Sequence, residues 1–148
     1  MTSSHPPPLL LSSGLDRAAA TLGEKDQRRL DDVLEQLHTV NGRLWAAEDR
    51  VRAPGLTAGQ VADGKRAIDQ LNAERNAFAE RADEILGLLV PGGEDDVPVH
   101  TETLATVLDR LSVLTWRIWH TGRAADAGDE LARRRVPLLH RQAAELRS

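Results

Sequence analysis

KRAIDQLNAERN, residues 65–76, decides how the chain is read. Ile68 and Leu71 open an apolar stripe that continues through Phe78, Ala82, Ile85 and Leu89 in steps of three and four. That spacing puts them on one face of an α-helix. Arg75 falls on the same stripe, between Leu71 and Phe78. A seam that only had to pack would carry Leu or Ala there. A guanidinium on a buried face needs a partner, because an unpaired buried charge is costly. Lys65, Asp69, Asn72 and Asn76 lie one row to the side.

The helix has a start and a stop. Thr57-Ala58-Gly59-Gln60 is a capping box, with Thr57 at the N-cap and Gln60 three residues on. Pro91-Gly92-Gly93 ends the pattern near residue 90. About thirty residues make a helix roughly 45 Å long. That is long for a monomer of this size, so part of it is expected to pack against a second subunit. Gly64, inside it, marks a close helix crossing, room for a ligand or a tolerated surface position.

Upstream, residues 24–52 read as another long helix. Its stripe is Leu30, Leu34, Leu37, Asn41, Leu44, Glu48 and Val51, widened by Val33 and Trp45. Asn41 and Glu48 interrupt that seam, with Asp49 beside Glu48. Pro54-Gly55 closes it. Residues 1–14, MTSSHPPPLLLSSG, read as a flexible tail, with a lid or docking strap as the alternative. Three leucines in a row are too few for a signal core or a membrane span. Leu15, Ala19 and Leu22 suggest a short helix before Gly23.

Downstream, residues 91–100 read as a solvated loop. Glu94, Asp95 and Asp96 lack the Gly and Glu of a calcium loop. A third helix is expected from an N-cap at Thr101 or Thr103 to about Thr121, stopped by Gly122. Leu104, Leu108, Leu111, Leu114, Thr115 and Ile118 form its apolar side; Asp109, Ser112, Val113, Trp116 and His120 form a second row. A fourth helix, residues 129–146, carries a partial stripe of Leu131, Leu138, Leu139 and Leu146. Pro137 should kink or break it. Arg133, Arg134 and Arg135 read as a solvated face or a helix-end charge cluster, with an anion-binding patch as the alternative.

No alternating β-branched run survives between turn signals, so no strand is expected. The fold class is all-α: an antiparallel bundle of about four main helices, one domain over residues 15–148. A chain of 148 residues with 41% apolar residues can bury a core. With 23 acidic against 19 basic residues, nucleic acid is not an expected partner, and neither is a membrane. The absence of cysteine removes thiolate and zinc-cysteine chemistry and favours the cytoplasm.

Four stretches then stand together in order. They are NGRLWAAED at residues 41–49, KRAIDQLNAERN at 65–76, TET at 101–103, and DRLSVL at 109–114 running on to Trp119-His120. In these the chain resembles the bacterial domain-of-unknown-function family 4254, over roughly residues 38–121. The resemblance implies an all-helical fold and no assigned activity. Leu104 stands where the family pattern has Pro, and Trp119 where it has Tyr. Arg66-Ala67-Ile68-Asp69 also resembles the first helix of helical chorismate mutases, which implies an isomerase as one alternative.

The polar residues suggest a site in the bundle core. Arginine clamps a carboxylate, sulfate or phosphate bidentately. Carboxylates and an imidazole serve proton transfer. Glu48, Asp49, Asp109 and His120 are the candidate catalytic groups. Asn41, Trp45, Lys65, Arg66, Asp69, Asn72, Arg75, Asn76, Glu102 and Ser112 are the candidate substrate contacts. The expected function is a small enzyme acting on an anionic small molecule by elimination, ring closure or isomerisation. No cofactor is expected, because no P-loop, dinucleotide motif or nucleophile elbow is present. No metal is expected either: there is no HExxH motif, and His38 and Glu48 are too far apart for an i, i+4 ligand pair. The alternative is a non-catalytic subunit of a homodimer or heterodimer, its polar seam an ion network that fixes register.

Overall fold

The computed structural model describes residues 8–9, 13–89 and 103–148. The acidic loop, Glu102 and most of the tail lie outside the described residues. Those described form five α-helices and no strand. The short α1 is Ser13–Ala19; α2 is Glu24–Val51, α3 Ala58–Leu86, α4 Leu104–Asp126 and α5 Glu130–Arg147.

Local chemistry sets the helix ends. Thr57 and Gln60 form the reciprocal capping box of α3, at 3.1 and 2.9 Å. Thr103 caps α4, where Asp83 of α3 also accepts from the Ala105 N–H. Asp129 caps α5. The α2–α3 turn holds Gly55 at φ 82° and the α4–α5 turn holds Gly128 at φ 102°, backbone that glycine adopts without Cβ strain. Gly122 is therefore not the stop of α4, which runs one turn past it; a helical glycine ends nothing unless the chain needs the left-handed conformation. Pro137 does not break α5. It is exposed, where the carbonyl it leaves without a donor can be hydrated.

The helices pack as two antiparallel hairpins, α2 with α3 and α4 with α5, and α4 also rests on α2 and α3. One apolar cluster joins the start of α2 to the end of α3 and the start of α4, through Leu30, Leu34, Leu37, Ile85, Leu86 and Leu108. A second, Leu111, Leu114, Leu139 and Ala143, fastens α5 to α4.

Four expected core positions are corrected. Glu48 is exposed, because the α2 seam steps by three from Leu44 to the buried Ala47. Leu104 is 47% exposed at the first position of α4. Leu131 and Leu138 are half or more exposed, since α5 docks through Ala132, Leu139 and Ala143 instead. In α3, Ala82, Ile85 and Leu86 are buried while Ile68 and Leu71 are only half-buried.

Candidate functional site

Arg75 finds its partner on α4. Its Nε lies 3.4 Å from Asp109 Oδ1. The Asp109 side chain is 13% exposed and that of Arg75 34%, so the pair runs from the bundle interior to its edge. Asn41 of α2 donates through Nδ2 to Asp109 Oδ1 and to Ser112 Oγ, each at 3.0 Å. Ser112 Oγ lies 2.7 Å from His38 Nδ1. One polar layer therefore links α3, α4 and α2. Asp109 thus accepts from two donors, one of them a cation. Asn41 Oδ1 is buried with no hydrogen-bond partner among the described residues.

Beside this layer a cleft of about 670 Å³ opens between α3, α4 and α5. Arg75, Asp109, Arg110, Arg117, Gln142 and Glu145 supply its polar lining, and Val113, Leu114 and Leu146 its apolar part. Three guanidinium groups face two carboxylates, one of which is already engaged with Arg75. The cleft is thus suited to an anion with an apolar body.

A second group of candidates lies elsewhere. Trp45 and His120 stack in parallel, 4.7 Å between centroids and 5° between planes. Trp119 meets His120 edge-on at 4.8 Å, and Arg123 sits over the Trp119 ring at 4.8 Å. Trp116 stacks on His38 and donates from Nε1 to the His38 carbonyl at 2.8 Å. Burial, and then Arg123, lower the pKa of His120 below 6.5, while Asp49 opposes the shift. Trp45, Asp49 and His120 line a separate cleft of about 400 Å³ toward the start of α5.

The sequence candidates are thus divided. Asn41, Arg75, Asp109 and Ser112 form the polar layer. Trp45, Asp49 and His120 gather in the second cleft. Lys65, Arg66, Asp69 and Asn76 are exposed on α3, with Arg66 paired to Asp63; Asn72 is half-buried, and none of these five lines either cleft. Glu48 is exposed and lines neither. Sequence reasoning missed His38, Arg117, Gln142 and Glu145. Arg110 and Arg117 do stand two turns apart on α4, flanking Val113, which is a legible signal. Glu35 and His38 have Glu-x-x-His spacing, but among the described residues no group of three or more His, Asp or Glu is placed to hold a metal ion. No helix among the described residues is long and apolar enough to cross a membrane.

Residues 31–148 match the family described as "Protein of unknown function (DUF4254)". The chain belongs to that family. The match extends the resemblance seen at residues 38–121 through α5 to the C-terminus. No curated protein and no solved structure matches it. Membership in DUF4254 thus supplies a family and no chemistry.

Proposed function

We propose that this DUF4254 chain is a small enzyme that acts without a cofactor on an anionic small molecule held in the cleft between α3, α4 and α5. One observation carries the reading. Arg75 is fixed by a buried carboxylate and also lines a cleft shared with Arg110 and Arg117. A guanidinium anchored before the ligand arrives costs less to order on binding. Arginines so placed stabilise charge that develops on a phosphate, sulfate or carboxylate. Glu145 is the carboxylate in this cleft available to move a proton. Elimination, isomerisation or ring closure needs no more than these groups. The mutase-like alternative would use Arg66 and Asp69, which lie outside the cleft.

A second reading, a non-catalytic subunit, is favoured by the first half of α3. No α3 residue before Ala82 is buried, although Ile68 and Leu71 keep their apolar spacing.

A thermal-shift panel on wild type and Arg75→Gln separates the two. Its ligands are phosphate, sulfate, nucleotide sugars, chorismate and small sulfated amines. A ligand that binds only the folded state raises Tm with its concentration. The enzyme reading expects a shift in wild type that the variant loses. No shift with any ligand, together with an early-melting variant, overturns it in favour of a structural ion network.

A further inference from the structure

The second cleft is not used by the function proposed above. It has about 400 Å³, within the size range of small-molecule pockets. Its aromatic wall is the parallel stack of Trp45 and His120. Asp49 enters from α2 and Arg135 from α5. Both are exposed, and neither has an ion-pair partner among the described residues. Asp129, the other carboxylate of the lining, is already engaged as the cap of α5. His120 is held toward its neutral form by burial, so it leaves the Asp49 charge uncancelled at neutral pH. The cleft thus offers one uncommitted anion and one uncommitted cation on different helices, with the Trp45 indole beside them.

We propose that this cleft binds a free α-amino acid with an aromatic side chain. Its ammonium pairs with Asp49, its carboxylate with Arg135, and its ring lies against Trp45. Arginine matches a carboxylate with two parallel N–H groups. A ligand with only one of the two charges leaves the other protein charge unanswered.

The chain reports on this site by itself. Its three Trp all belong to the cluster around His120, and it has no Tyr. The full chain is titrated with L-phenylalanine, with phenethylamine, which lacks the carboxylate, and with hydrocinnamate, which lacks the amine. Intrinsic fluorescence and calorimetry are read in parallel. L-Phenylalanine is expected to bind saturably, and each analogue at least about tenfold more weakly, the scale of one lost charge-assisted contact. Asp49→Asn weakens L-phenylalanine and phenethylamine and spares hydrocinnamate. Arg135→Gln weakens L-phenylalanine and hydrocinnamate and spares phenethylamine. Any of three results overturns the proposal: no saturable L-phenylalanine binding into the millimolar range, an analogue that binds as tightly, or an affinity that neither variant changes. The analogue series on wild type stands whether or not a variant folds.

Discussion

The indole of Trp116 occupies the space that a side chain on Gly42 would fill. A Cβ built there would overlap the six-membered ring of Trp116. The absence of that Cβ lets α4 approach α2 closely enough for Trp116 Nε1 to reach the His38 carbonyl at 2.8 Å. Gly42→Ala should therefore destabilise the fold despite the better helix propensity of alanine. Displacing the ring strains the packing and breaks the hydrogen bond, at a cost of about 1–3 kcal/mol. Urea denaturation followed by circular dichroism measures it. An unchanged or raised midpoint would show that Trp116 can move aside without penalty.

Asp109 should matter more to stability than Arg75. The carboxylate is nearly enclosed, whereas the guanidinium reaches the cleft and keeps some water. Asp109→Ala removes the acceptor for Asn41 as well as for Arg75 and should cost about 1–3 kcal/mol. Arg75→Gln should cost less, because the end of the pair it removes is one-third exposed and Asn41 still donates to Asp109. The double variant should show coupling of about 0.5–3 kcal/mol in a thermodynamic cycle. Strict additivity of the two single effects would contradict the ion pair.

Much of this arrangement was legible in the chain, and the physical reason for each exception is specific. The α2 seam from Leu30 to Leu44 is buried as its spacing implied. It misled only at its end, where Ala47 and Glu48 are both reachable steps and the smaller, apolar residue turns inward. Arg75 stood out because its row was otherwise apolar, yet its partner depends on the register of α3 against α4, which no local pattern encodes. The site split for a similar reason. Helix periodicity puts Asp109 and His120 on one row of α4 over three turns, but α3 meets the first and α5 begins beside the second. Residues from α5 were invisible because its docking face is Ala132, Leu139 and Ala143, a quieter signal than the leucines at 131 and 138 that face outward.

His120 should make stability fall on acidification. Its folded pKa lies below 6.5, chiefly through burial among the tryptophans. The unfolded chain therefore binds the proton more readily than the folded one. The stabilising contribution is complete above pH ~6.5, the unfolded value, and is lost as pH falls through the folded pKa. His120→Gln should flatten the stability profile in that window. Proton NMR of the His120 ring supplies the direct check; a midpoint at or above the ordinary histidine value would contradict the burial effect.

Asn41 can be tested by changing one atom. Its Nδ2 group is what faces the Asp109 carboxylate, and its Oδ1 is buried without a partner among the described residues. Asn41→Asp keeps the shape and replaces the donor with a second acceptor. Two carboxylates then compete for one buried place, and like charges so close push one pKa well up. The raised group binds a proton more tightly in the folded state than in the unfolded one. The variant should be weakest near neutral pH, by roughly 2–4 kcal/mol relative to wild type. It should regain stability as pH falls through the raised pKa, opposite in sign to the His120 effect. A proton shared between the two carboxylates restores a donor at the place Nδ2 held. Denaturation midpoints of both chains across the acidic range decide it: no deficit near neutral pH, or a deficit that does not narrow on acidification, would contradict donation from Nδ2 to Asp109 as the contribution of Asn41.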